Sequence, residues 1–392
     1  MPPIVKIILC ALCLLPLVGC ATLEAAPVFI PTGLATALPD ALPSASPNAV
    51  TATPFQPLPP SPTLLPSPTH TSSPTLPPPT PTSPPRITLL FTGVIVPARC
   101  VQAAIDARDD PDYIYDEVRQ VISQADIAIG TLNATISDYP PHTGCTITFV
   151  LVGDSRNADA LQRAGFDVMS VATNHIKNCG IGDCGDRAFI DTLDNLRRVG
   201  ILPVGAGMNL AEALQPAVLE VAGVRFGIVS LGMIESMTFA AEDKPGIAVL
   251  NDENLPAAIQ AARQVSDVVI AMPHWGPEDS ALPNEYQLHY AQAAVTAGAD
   301  VVVGNHTHVV QAIQQIDGID VFYGLGNFVF DQNWDLAHQQ GVILLLNFEG
   351  SAYVGYELIP THVDFDGTVH LAGPEEAAQI LARIQQASES LK

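Results

Sequence analysis

Asn174 with His175, His274, and His306 with His308 are the residues of this 392-residue chain whose types and spacing could share one chemical task. Amide oxygen and imidazole nitrogen are ligand atoms for Zn²⁺, Mn²⁺ or Fe, and a His-x-His pair brings two of them together. One such histidine alone is more often a hydrogen-bonded structural residue. Four of them in equivalent places along the chain reverse that weighting.

Those places are strand ends. Ile87–Thr92, Asp126–Gly130, Asp167–Val171, Asp267–Met272 and Asp300–Val303 are short, mostly β-branched runs bounded by turn residues, as buried strands require. Helical patterns precede most of them. Leu255 to Val265 carries Pro256 only in its first turn, and Asn284 to Ala297 stops at Gly298. Phe322-Tyr323 is a further short strand before a Gly-Leu-Gly turn. Gly341–Phe348, Ala352–Leu358 and Thr361–Leu371 read as a meander, and Glu375 to Leu391 as a closing helix. This alternation predicts an α/β fold. The segments after its strands are Gly93 to Arg99, Thr131 to Asn133, Thr173 to His175, Pro273 to Gly276 and Gly304 to His308. Ligands bind beyond the carboxyl ends of strands in open α/β sheets, so these segments converge on one edge.

The order Asn174-His175, His274-Trp275-Gly276, Gly304-Asn305-His306-Thr307-His308 and Gly324-Leu325-Gly326-Asn327-Phe328 resembles the CapA family of capsule, or poly-γ-glutamate, synthesis proteins. Gly205-Ala206-Gly207 followed by Glu212-Ala213 and Pro216 is similar as well, and the likeness runs from about Ile87 to Gly373. That family belongs to the calcineurin-like metallophosphoesterases. The resemblance implies a metallophosphatase-like two-sheet sandwich flanked by helices (αββα). It implies that Asn174, His274 and His306 hold one metal, that His308 belongs to a second, and that His175 is the catalytic general acid or a substrate contact.

Two positions depart from the family pattern. Val94 stands where the family has the aspartate of its first motif, and Asn133 where it has a carboxylate. Without a bridging carboxylate, two dications lose both their link and their charge balance. The sequence therefore predicts at most one divalent transition metal (Mn, Zn or Fe), held by Asn174, His274 and His306 with His308 in reach. Arg99 matches the family's first-motif arginine and is expected to add positive charge to a site short of carboxylates. Asp154, Asp183 and Asp186 lie near the matching loops and are the candidates for a replacement ligand.

The N-terminal region is of another kind. Lys6, the apolar run Ile7 to Gly19 and Leu17-Val18-Gly19-Cys20 read as a lipoprotein export signal over residues 1–20, with Cys20 the lipid-modified residue. Residues 21–86 form a Pro/Thr/Ser-rich tether: 19 of the 35 prolines fall between Pro27 and Pro85, where Asp40 is the one charged side chain. Extended as polyproline, the stretch from Pro27 to Pro85 would reach at most about 180 Å. Residues 87–392 form the CapA-like domain. The expected location is extracytoplasmic, lipid-anchored to the bacterial cell membrane.

Sixteen Lys and Arg against 40 Asp and Glu give a formal charge of −24. That surface repels phosphate backbones and argues against nucleic acid as a partner. With Cys10, Cys13 and Cys20 in the export segment, four cysteines remain, and an oxidising compartment favours two disulfides. Cys179 with Cys184 and Cys100 with Cys145 is the preferred pairing; a zinc site of His175, Cys179 and Cys184 is the competing use.

On sequence, the leading reading is a membrane-tethered protein of capsule or polyglutamate synthesis or export with an impaired metallophosphatase-type site. Its partners would be the envelope polymer or the machinery that makes and exports it. The alternative is an active metal-dependent phosphoesterase acting on cell-envelope material, so whether the chain is an enzyme stays open at this point. A solute-binding lipoprotein has no special use for Asn-His with His-x-His.

Overall fold

In a computed structural model the described residues are 83–392, apart from 140, 143 and 179–183. Cys20 with the export segment, the tether through residue 82, Cys179, Asp183 and the side chain of Cys184 lie outside the described residues.

The ten-residue strand Arg86–Ile95 organises the first sheet. On one side it pairs in parallel with Ile127–Leu132, followed by Val168–Ser170 and Leu202–Val204. On the other it runs antiparallel to Gln340–Glu349, which continues to Ala352–Val363 and Val369–Leu371. The second sheet has the order Ile313–Ile316, Ile319–Phe322, Val301–Val303, Val268–His274, Val224–Gly232, Ala217–Val221, with its four middle strands parallel.

Side-chain alternation along these strands divides the apolar residues between layers. Leu89, Phe91 and Ile129 of the first sheet share one buried cluster with Phe226, Ile228 and Ile270 of the second, so the sheets pack face to face. Their outward faces bury Leu90, Ala128 and Met169 with Leu161 and Phe189 of the helices Arg156–Ala164 and Cys184–Arg198, and Val229, Val269 and Val302 with Leu255 and Ala291 of Asn254–Val265 and Glu285–Ala297. This is the αββα sandwich the sequence implied. Asn284 closes a capping box with Gln287, and Gly298 ends the same helix in the left-handed conformation at φ 103°. Among the described residues no helix is long and apolar enough to cross a membrane.

Two elements differ from the sequence reading. Val224–Gly232 is an interior strand of the second sheet, yet Arg225, Gly227 and Ser230 break its apolar pattern. Gly227 is small because Ser266 packs against it, and Ser230 is buried against Ser170 at 2.7 Å. In the meander, the second strand runs on to Val363, and the last begins only at Val369. Thr361 still pairs with Gly341, and the turn that ends the strand comes at Asp364 to Gly367.

Candidate metal centre

The parallel strands of both sheets deliver their following loops to a common place. Asn174 follows Val168–Ser170, and its Oδ1 lies 3.0 Å from Nε2 of His274, the last residue of Val268–His274. The next loop is laced to this one, since Trp275 N donates to Asn305 O (3.1 Å) and Asn305 N to Pro273 O (3.0 Å). Gly304 must be glycine here, because a Cβ would meet the Trp275 indole nitrogen at 2.3 Å. The His274 and His306 rings consequently sit 4.9 Å apart, and those of His306 and His308 5.9 Å. His306 (φ 109°) and His308 (φ 60°) both occupy the positive-φ region that side chains normally avoid, a strain typical of functional sites.

Polar groups buried without a partner cluster at the same place. Of nine such atoms among the described residues, five are here: both ring nitrogens of His306, His274 Nδ1, Asn133 Nδ2 and Asn305 Oδ1. Buried polar atoms are nearly always satisfied, so a concentration of orphans marks a place built for something else. Ligand atoms on one ion at about 2.1 Å lie roughly 3.0 to 3.4 Å from one another, which the Asn174 and His274 pair already approaches. The residues present therefore fit a divalent ion.

Electrostatics agree with that fit. Burial lowers His274 well below the ordinary imidazole value, with His306 and His308 adding to the effect. Burial takes His308 to about 3, His306 adding to the shift. It takes His306 to about 4, opposed by the Gly276 and Trp275 backbone without a closed hydrogen bond. His175 falls to about 4 through burial and then the Arg99 charge. All four are neutral at pH 7, which suits His274, His306 and His308 as ligand imidazoles.

His175 is placed by its neighbours. Its backbone N donates to Asn133 Oδ1 (3.1 Å), and its Nδ1 lies 2.8 Å from the Asn178 side-chain amide nitrogen. With Nδ1 accepting from Asn178, the proton resides on Nε2. Two adjoining cavities of about 290 and 530 Å³ share Phe149, His175 and Glu278 in their walls. His308 and Arg99 face the smaller, Asn174 and His306 the larger.

The remaining predicted residues are distributed differently. Val94 is wholly buried in the outer apolar cluster of the first sheet with Leu132 and Phe328. Arg99 faces the smaller cavity with its charge largely offset: its guanidinium is paired with buried Asp331, donates to Thr148 O (2.9 Å), and lies over the Phe330 ring, and what remains of its field is felt at His175. Cys100 and Cys145 form the expected disulfide. Asp186 accepts from Lys177 (2.6 Å). Asp154 belongs to a separate set with Asp106 and His142, whose ligand-type atoms lie within 4.8 Å of one another. Arg156 already bonds both carboxylates there, at 2.9 and 2.7 Å. Sequence reasoning assigned no role to Asp331, Asn178, Asn327 or Glu278. Asn327 and Glu278 lie in or just beyond the quoted motifs, at His274 plus four in the case of Glu278, so position was the available signal.

Comparison with known proteins places this arrangement. The chain is 28% identical over 255 residues to the PGA biosynthesis protein CapA of Bacillus subtilis, covering 64% of this chain and 66% of that one. It is 29% identical over 258 residues to the capsule biosynthesis protein CapA of Bacillus anthracis, covering 64% and 61%. It thus spans just under two thirds of the length of these relatives. Among solved structures it is similar in fold to a phosphatase from Mycoplasma pneumoniae, at 14% identity and a TM-score of 0.43, over 71% of this chain and 94% of that one. A family model described as bacterial capsule synthesis protein PGA_cap matches residues 88–332. That span holds most of the first strand, both cavities' histidines and Asn327, and on it the chain belongs to the PGA_cap family of bacterial capsule synthesis proteins.

Proposed function

We propose that this protein works in the synthesis or export of a capsule polymer of the polyglutamate type, outside the cytoplasm, tethered through Cys20, with one divalent metal ion at the strand-end histidines. The observation that carries the metal reading is the group of five unpartnered buried polar atoms around His274 and His306. Asn174, His274 and His306 would hold the ion, with His308 beside them. A divalent ion there would polarise a substrate oxygen and supply positive charge in a protein whose net charge is −24.

The chain's own groups do the rest. His175 offers an Nε2–H to a substrate oxygen from the wall between the two cavities. Asn133 fixes the backbone of that histidine. Neither Val94 nor Asn133 provides the carboxylate by which a second ion would be bridged, so generic phosphoester hydrolysis is expected to be poor.

Metal analysis of the purified protein after loading with Mn²⁺ or Zn²⁺, alongside turnover of a simple aryl phosphate, tests this. About one ion per chain, lost in His274→Ala, with slow turnover, supports the reading, and Asn133→Asp should then raise occupancy. Two tightly held ions with rapid turnover would replace it by the active phosphoesterase. The anchor is tested separately: Cys20→Ser should abolish lipid labelling and release the protein from membranes.

A further inference from the structure

Glu278 stands four residues beyond His274, and its Oε1 lies 3.7 Å from His306 Nε2 and 3.9 Å from His308 Nε2. Both imidazoles are almost wholly buried, at 5% and 2% exposure, while the glutamate side chain is about half exposed. No lysine or arginine among the described residues lies within ion-pair distance of this carboxylate. A carboxylate turned toward two imidazole nitrogens, one of them lacking any hydrogen-bond partner, is an arrangement that a cation completes.

We propose that Glu278 is the anionic ligand of the metal centre, taking over the charge-balancing part that neither Val94 nor Asn133 can supply. The inference rests on the metal reading above and adds the residue that offsets the ion's charge. The observed separations exceed the roughly 3.0 to 3.4 Å of ligand atoms sharing one ion by about half an ångström, a gap that rotation of a half-exposed glutamate closes.

The loop is held where this requires. Trp275 N bonds Asn305 O just before His306, and Asp279 N bonds Thr307 O (3.1 Å) between the two histidines. Residues 275 and 279 are therefore tied to the His-x-His segment on either side of Glu278. Asp279, at φ 64°, is held a third way, its Oδ1 lying 2.6 Å from His338 Nε2. Gly276, at φ 84°, makes the bend that returns the chain toward Thr307, and a Cβ there would meet the Gln287 side chain at 2.3 Å. Backbone bonds thus hold the segment that carries Glu278 beside the histidines and leave only its side chain to rotate.

The test is a calorimetric titration of Mn²⁺ into the metal-stripped full-length chain, comparing wild type, Glu278→Gln and His306→Ala. Thermal unfolding of the stripped proteins confirms that each variant folds. Glu278→Gln keeps size and polarity and removes only charge, so the expected result is at least a tenfold weaker Kd, with partial recovery in Glu278→Asp. A second readout is the visible absorption of a Co²⁺-loaded sample, whose band positions and intensity should shift when the carboxylate leaves the coordination sphere. Unchanged affinity and spectrum in Glu278→Gln, with binding lost in His306→Ala, would overturn the role of Glu278 and leave the centre standing. Absence of Mn²⁺ and Co²⁺ binding in the wild type would overturn both.

Discussion

Asn327 Oδ1 accepts a hydrogen bond from His308 Nδ1 at 2.8 Å. The direction follows from the other end of the amide, where Asn327 Nδ2 donates to the His338 carbonyl (2.9 Å) and to Gln332 Oε1 (2.9 Å). His308 therefore carries its proton on Nδ1 and turns an unprotonated Nε2 toward Glu278. A partner of this kind fixes both the tautomer and the ring orientation of a metal ligand.

Asn327→Ala should weaken metal binding by about tenfold or more, because outer partners of ligand histidines typically matter by 10 to 100 times. It should also lower stability by about 1 to 3 kcal/mol through the stranded Gln332 and His338 acceptors. Asn327→Asp, which retains an acceptor for His308, should recover part of the affinity and none of the stability. Metal titration beside thermal unfolding separates the two effects.

Arg99 and Asp331 form a pair with 6% and 0% of their side chains exposed, and Asp331 Oδ2 also accepts from Cys100 N (3.1 Å). Removing the anion leaves a buried guanidinium uncompensated. Asp331→Ala should cost about 3 to 5 kcal/mol, read from the midpoint of urea unfolding. Replacing both residues by apolar ones should cost much less than the single change, and an equal cost would show that the pair does not act as a unit.

The Cys100–Cys145 bridge spans a sequence separation of 45. By loop-closure entropy it stabilises the fold by about 4 kcal/mol. Cys100→Ser with Cys145→Ser should lose up to that amount. The double variant should also speed hydrogen exchange at Thr148 to Leu151, the segment that Arg99 and the bridge hold against the smaller cavity.

His370 bonds Glu117 (2.9 Å) and Asp364 (2.8 Å). Partial burial works against its charge, but the hydrogen bonds and charges of these two carboxylates outweigh it and raise the ring above its ordinary value of 6.5. Because the folded value is the higher one, the protonated ring stabilises the fold fully below about pH 6.5 and loses that contribution as pH climbs through the raised value. Screening at this partly exposed position keeps the effect below about 1 kcal/mol. Unfolding midpoints of wild type should fall relative to His370→Gln between about pH 6 and 8, and parallel profiles would refute the assignment.

The sequence by itself determined an α/β fold and the residues at its strand ends, because both are written in local pattern, while the αββα sandwich came only through the family resemblance of its motifs. Short β-branched runs, capped helices such as Asn284 to Gly298, and chemistry-bearing residues just beyond the strands are legible without knowing what touches what. The Val224–Gly232 strand was not, since its Gly227 and Ser230 are small to suit Ser266 and Ser170 on other elements. Only the tertiary structure decided that Arg99 is paired with Asp331, 232 positions away. The same holds for Asn327, which sets the proton on His308, and for Glu278, which faces two histidines of the neighbouring loop. Such pairings arise from how strands stack and which loops lie side by side. A carboxylate near a motif and one facing it read alike along the chain, and packing alone tells them apart.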